Sequence, residues 1–211
     1  MPVTEARALP DPLPLFPLRM VLLPGALLGL KVFEARYLDL VSHCLRTGQP
    51  FGVPCLREGA EAGPNAQPVD LETVGTLAWL EEVDSEQPGI LRVRCRAGQR
   101  FRRVGELDQR GDGLWLSRVE LLPEDPQRQP GAAMQQAVSA LRQAVESLDA
   151  QGVHPFLEPL RFDDAGWVAN RWCELLPLPL AARQKLMEMD DPMIRLSLVD
   201  AFLRDKKIVI G

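Results

Sequence analysis

Leu13-Pro14-Leu15-Phe16-Pro17-Leu18, then Val21-Leu22-Leu23-Pro24-Gly25, then Leu30-Lys31-Val32-Phe33-Glu34-Ala35-Arg36-Tyr37, decide how this chain folds. The run reads as a short strand, a proline-broken apolar turn, and a second strand leading directly into an amphipathic helix. Pro14, Pro17 and Pro24 each lack a backbone donor, so no long central strand passes through them. Gly25 and Gly29 permit tight reversals. In this connection lie Met20, Val21, Leu22, Leu23, Ala26, Leu27 and Leu28. An apolar connection of that kind is either tucked under the fold or offered to an apolar partner. None of its side chains can do chemistry.

Downstream, Glu34, Tyr37, Leu38, Val41, Cys44 and Leu45 fall on one stripe. They predict a helix over 33–46, stopped by Thr47-Gly48-Gln49-Pro50. Residues 51–56 read as a strand and 57–70 as a loop. Extended segments follow at 71–84, 89–97, 100–107 and 114–122, with turn sequences at 85–89 and 109–113. Consecutive antiparallel strands leave edges, and curling into a small barrel removes them.

After a polar linker at 123–130 the period changes. Met134, Val138, Leu141, Val145 and Leu148 recur at helical steps, and further helices are predicted at 164–175, 180–189 and 192–205. Asp191 is placed to cap the last of these, with Pro192 at its first position. Its Ile194, Leu198 and Ala201 or Phe202 are expected to pack inward. The fold class expected is α+β, with a β-rich domain and one packed helix over 10–125 and a helical subdomain over 130–207.

The opening run also resembles the start of the Lon amino-terminal domain, the substrate-binding module of the Lon family of ATP-dependent proteases. Pro14-Leu15-Phe16-Pro17-Leu18, Leu23-Pro24-Gly25 and Val32-Phe33-Glu34-Ala35-Arg36-Tyr37 carry the resemblance, followed in order by Phe51-Gly52-Val53 and Val74-Gly75-Thr76-Leu77-Ala78. Ala35 stands where the family usually has proline. Leu175-Leu176-Pro177-Leu178 and its flanking helices extend the match through the second half. The resemblance implies a PUA-like antiparallel pseudo-barrel followed by a helical subdomain. It also implies a noncatalytic role, because full Lon carries its ATPase and Ser-Lys protease in separate modules.

Composition is that of an ordinary globule, 46% hydrophobic and 25% charged over 211 residues. No apolar run reaches membrane-spanning length, and Met1–Arg7 lacks the basic-then-apolar pattern of an export signal, so a cytoplasmic location without membrane contact is expected. The net charge of −5, from 24 basic and 29 acidic side chains, disfavours a nucleic-acid surface. Cys44, Cys55, Cys95 and Cys173 include no CxxC pair, and His43 and His154 are the only histidines. No metal or cofactor is expected, and the cysteines read as buried thiols.

Several side chains invite a functional reading and then lose it. Glu34 and Arg36, two apart on a helix, would not face each other and would find other partners. Tyr37, on the buried stripe, reads as core. His43 and Cys44 are adjacent rather than facing, and His154 lies in a connection, so neither makes a nucleophile–base pair. Trp79, Trp115, Trp167 and Trp172 read as core anchors, and Asp163-Asp164 as a helix cap. There is no GxxxxGK[ST] loop. Ser197 and Lys206, nine apart, make no obvious reactive pair.

Two binding surfaces remain. The leading expectation is noncatalytic recognition of unfolded or apolar polypeptide through Met20, Leu22, Leu23, Leu27 and Leu28, as an adaptor with a protease or chaperone as partner. The alternative is an RNA-binding barrel face built from Arg92, Arg94, Arg96, Arg100, Arg102 and Arg103. Glu81, Glu82, Asp84 and Glu86 are near enough in sequence to neutralise that row, and only Phe101 is available for base stacking.

Overall fold

The computed structural model describes residues 9–59 and 69–209. Two compact units divide the chain. The first is Met1–Leu22 with Leu27–Leu122, and the second is Leu23–Ala26 with Pro123–Gly211.

The first unit contains β1 (Leu13–Leu15), β2 (Leu27–Val32), α1 (Ala35–Thr47), β3 (Phe51–Glu58), β4 (Asp70–Gln87), β5 (Ile90–Gln109) and β6 (Trp115–Leu121). Its strands form one sheet in the order β2-β5-β4-β3-β1-β6, with β5 also paired to β6. The fold is α+β, but the expected antiparallel pseudo-barrel is not what forms. β1 runs parallel to β3, with Leu15 opposite Gly52, so the sheet is mixed. β2 pairs with β5 alone, so it ends the sheet as an edge rather than forming one stave of a closed barrel.

The prolines limit the bonds this segment can make to its parallel neighbour. Pro14 and Pro17 cannot donate, and the donors left between and after them reach β3: Phe16 N to Gly52 O at 2.8 Å and Leu18 N to Pro54 O at 3.3 Å. Leu56 N returns a bond to Leu18 O at 2.8 Å. Phe16 and Leu18 thus supply alternate bonds along β3, at positions neither proline occupies.

Ala97-Gly98-Gln99 is not a break between strands. β5 runs through it, so the two segments expected at 89–97 and 100–107 are one strand. Gly98 serves packing instead, since a Cβ there would meet the Trp79 indole nitrogen at 2.8 Å. The turn after β4 shortens to Pro88-Gly89, with Gly89 at φ +81°. Of the loop expected at 57–70, residues 57 and 58 belong to β3 and 70 to β4, while 60–68 lie outside the described residues.

Leu13, Leu15, Leu56, Leu71, Leu77 and Phe101 form a core cluster of this unit. Gly52 and Gly75 make room for the Phe101 ring. A Cβ on Gly75 would come within 2.7 Å of that ring and of the Val53 carbonyl oxygen. Gly75→Ala should therefore lower stability by about 1–3 kcal/mol through overpacking. Urea denaturation measures it, and an unchanged midpoint would show that the ring can move aside.

Helix α1 buries Tyr37, Leu40, Val41 and Cys44, and Tyr37 stacks on Phe16 with ring centroids 3.9 Å apart. The inward face is rotated from the expected stripe, leaving Leu45 exposed and Leu38 half-buried.

The second unit contains α2 (Gln135–Asp149), α3 (Ala165–Leu175), α4 (Leu180–Glu188) and α5 (Pro192–Asp205), with a 3-10 turn at Ala132–Met134. Both expected caps are present. Asp164 accepts from Gly166 N and Trp167 N, and Asp191 from Met193 N and Ile194 N. The inward face of α5 is the opposite of the one expected. Leu196, Val199 and Leu203 are buried with Arg195 and Asp200, whereas Ile194, Leu198 and Ala201 are exposed and Phe202 is half-buried. Nor is 123–130 a loose linker, because Asp125 pairs with Arg195 and the Arg128 carbonyl accepts from Ala165 N at 2.8 Å.

Candidate functional site

The apolar connection between β1 and β2 is mostly folded away. Leu22, Leu23 and Leu28 are buried, while Met20 and Leu27 are half-buried. Within the first unit, the Thr76 hydroxyl donates to the Leu22 carbonyl at 2.6 Å. Within the second, Leu23–Ala26 is a β-turn closed by Ala26 N to Leu23 O at 3.1 Å, with Gly25 at φ +75°. Arg171, with no exposed side-chain surface, donates to Gly25 O at 2.6 Å and Pro24 O at 2.8 Å. Only Met20 and Leu27 of the five expected contact residues thus present surface in the free chain.

What stays open is β2. Its register with β5 runs from Leu27 opposite Arg96 to Val32 opposite Leu91, and among the described residues it has no other strand neighbour. Leu27 and Leu30 are half-buried, Gly29 is exposed with open space where a Cβ would lie, and Phe33, just past the strand, is 58% exposed. An edge strand carries main-chain donors and acceptors that an added extended chain can use.

The arginine row does not assemble into one positive face. Arg94 bonds Glu82 at 2.8 Å and Arg96 bonds Glu81 at 3.1 Å, while Arg92 stands opposite Asp84. Arg100 is buried, and Arg103 donates to the carbonyls of Leu71 at 2.9 Å and Glu72 at 3.3 Å. Arg102 is exposed. Phe101 is fully buried and offers no base platform.

The family profile of the ATP-dependent protease La (LON) substrate-binding domain matches residues 12–205. The chain belongs to this family. A Lon N-terminal domain protein from Xanthomonas campestris has a crystal structure 35% identical, at TM-score 0.71, covering 90% of this chain and 97% of that one. The N-terminal domain of Mycobacterium avium complex Lon protease shares the fold at TM-score 0.62 and 16% identity, over 92% of this chain and 98% of that one. The Lon protease of Desulfovibrio desulfuricans is 26% identical over 202 residues, 94% of this chain but 22% of that protein. The chain therefore spans about a fifth of that curated relative.

What the Lon relatives match is the noncatalytic substrate-binding domain rather than the ATPase or protease modules. Burial pushes the Cys44 thiol up to about 11 and the Cys95 and Cys173 thiols up to about 12, the opposite of an activated nucleophile. His43 bonds Gln49 at 3.3 Å, and His154 bonds Asp149 at 2.9 Å. The Ser197 hydroxyl donates to Ile194 O at 2.8 Å, and Lys206 pairs with Asp205. Among the described residues no group of three or more His, Cys, Asp or Glu is placed to hold a metal, and no helix is long and apolar enough to cross a membrane. Trp167 and Trp172 are buried, with the Trp172 indole donating to Ala137 O at 3.0 Å, while Trp79 and Trp115 are half-buried.

Glu34 and Arg36 do meet, at 2.8 Å, contrary to the expectation that they would not face each other. Glu34 is the N-cap of α1, with extended backbone (φ −80°, ψ 136°), so helical spacing does not govern it. Arg36 also reaches the Gly113 carbonyl at 3.1 Å. The pair organises a turn and touches no candidate site.

Proposed function

We propose that this Lon-type domain recognises unfolded or apolar polypeptide without catalysing its cleavage, by accepting an extended segment along the free edge of β2. The supporting observation is that β2 has one strand neighbour and carries half-exposed Leu27 and Leu30, with the exposed Phe33 ring just beyond it. Main-chain bonds to the edge supply affinity for many sequences, and the apolar side chains favour apolar segments. Met20 and Leu27 remain as contact residues from the apolar connection. Leu22, Leu23 and Leu28 support its packing instead. The reading includes a cytoplasmic location, two domains at 10–125 and 130–207, and a protease or chaperone that receives the bound chain.

Binding of a labelled, permanently unfolded protein by fluorescence anisotropy tests it. Leu27→Asp and Phe33→Asp should each weaken binding roughly tenfold, as loss of an apolar anchor does. A peptide ligand N-methylated at alternate amides should bind more weakly than its parent, because strand addition needs those donors. Unchanged affinity across both variants and the N-methylated peptide removes β2 as the site.

A further inference from the structure

Resting on the reading of β2 as the polypeptide-binding edge, we propose that the segment it accepts alternates apolar with acidic side chains, the acids on the solvent face beside Gly29 and Lys31. β2 itself alternates. Leu28 and Val32 are buried and Leu30 half-buried on one face, while Leu27 is half-buried and Gly29 and Lys31 are exposed on the other. An added strand alternates in the same way, so each of its side chains lies beside one of these two rows. Its inward side chains extend the row of Leu28, Leu30 and Val32 and are apolar.

Charge selects the outward ones. Register sets Leu27, Gly29 and Lys31 opposite Arg96, Arg94 and Arg92 of β5. Beyond β5, Asp84 stands opposite Arg92, and Glu82 and Glu81 bond Arg94 and Arg96 at 2.8 Å and 3.1 Å. From the edge inward, the solvent face thus runs from Lys31 through three arginines to the acids of β4. A strand added at the edge meets the cations first. Lys31 and Arg92 are also like charges directly opposite one another, an arrangement that costs stability and that a carboxylate beside Lys31 relieves.

Gly29 opens the second contact. An added strand lies two strand spacings from β5, about 10 Å. An arginine and a carboxylate side chain cover that distance between them where nothing intervenes, and a Cβ at Gly29 would meet no atom within 4 Å. Arg94, directly opposite, can therefore lean over Gly29 to an acid on the added strand. Its bond to Glu82 joins two exposed side chains, a kind of pair that contributes little stability. Lysine on an edge also discourages pairing with a second copy of the same edge, so the occupant is a different, acidic chain. A polynucleotide answers the same charges but brings no amide ladder to β2.

Fluorescence anisotropy of the full chain with labelled peptides of equal length tests this, using valine alternating with glutamate, with serine or with lysine. At low salt the glutamate peptide should bind about tenfold more tightly than the serine peptide, and the lysine peptide more weakly than either. Added salt should erase the glutamate peptide's advantage. Lys31→Glu and Arg94→Glu should each cut that advantage to about twofold or less, and the double variant should favour the lysine peptide. Gly29→Val keeps every charge and should cut the advantage roughly threefold by closing the path of Arg94. Far-UV circular dichroism checks that each variant is folded. Peptides of equal affinity, all weakened by Leu27→Asp and Phe33→Asp, leave the edge in place and overturn the acidic class. If none of the peptides binds, the edge itself is removed and the acidic class with it. A glutamate peptide that binds as well when N-methylated at every amide, or is displaced more readily by single-stranded RNA than by its own unlabelled form, marks the cations as a surface patch and overturns the proposal.

Discussion

Arg195→Ala should destabilise the second unit by about 3–5 kcal/mol, the cost of leaving a buried ion pair half-made. The Arg195 side chain is 1% exposed and spends its donors on groups from three other parts of the unit. Nη1 bonds Asp125 Oδ2 at 2.5 Å and Asn170 Oδ1 at 3.1 Å, Nη2 bonds Asp125 Oδ1 at 3.1 Å and the Met189 carbonyl, and Nε bonds Leu186 O at 2.9 Å. The fork thereby joins the segment after β6, α3, the end of α4 and α5. Space around it is tight, since a Cβ on Gly166 would meet Asp125 Oδ2 at 2.9 Å. Alanine leaves the Asp125 carboxylate and the carbonyls without their donor. Lysine keeps the charge but loses the planar fork, so Arg195→Lys should recover only part of the loss. Urea unfolding of the wild type, Arg195→Ala, Asp125→Ala and the double variant measures the coupling. A double variant no more stable than the sum of the singles would show that the two side chains act independently.

This arginine also explains what the sequence concealed. The helices themselves were legible: Asp164 and Asp191 announce two N-termini, and the Val138, Leu141 and Val145 stripe marks the buried side of α2. The orientation of α5 was not. Its inward face carries Arg195 and Asp200, so a reading that seats apolar residues inside turns the helix the wrong way. A buried arginine becomes recognisable only when its acceptors, here a carboxylate seventy residues earlier and two carbonyls at the end of α4, are seen to converge. Arg171 was hidden for the same reason, because its carbonyl partners lie in the Leu23–Ala26 turn. In the β-rich half, hydropathy marked the Met20–Leu28 connection as unusual without telling burial from display. Thr76 and Arg171, remote in sequence, hold different parts of it. The parallel β1–β3 pairing was also out of reach, since Pro14 and Pro17 exclude a full ladder but do not choose the neighbour. The charged row on β5 alternated as a strand should. Its function depended on register with β4, which set Arg94 beside Glu82 and Arg96 beside Glu81.

The second large effect is on pH dependence, and it belongs to Glu174. Its carboxyl lies 2.5 Å from Arg171 Nη2 and its side chain is 23% exposed. Burial raises its pKa from 4.5 to about 7, against the opposing pull of Arg171 and Arg183. Burial likewise lowers the Arg171 pKa, with Glu174 acting the other way. In the folded chain Glu174 therefore holds its proton through a range where the unfolded chain has released it. Between pH 4.5 and 7 the native state binds more protons, and its stability falls as pH rises. The contribution is fully present below pH 4.5 and lost as pH passes through about 7. Its full size is on the order of 3 kcal/mol, reduced by the solvent that reaches the exposed part of the side chain. Glu174→Gln reproduces the shape of the protonated acid and cannot ionise. Arg171 keeps the Pro24 and Gly25 carbonyls in that variant, so the turn it holds should survive. The variant should match the wild type near pH 4.5 and exceed it at pH 8, with a flatter slope of unfolding free energy between them. If the wild type and Glu174→Gln lose stability in parallel across that interval, the slope comes from other carboxylates and the Arg171 ion pair outweighs the burial of Glu174.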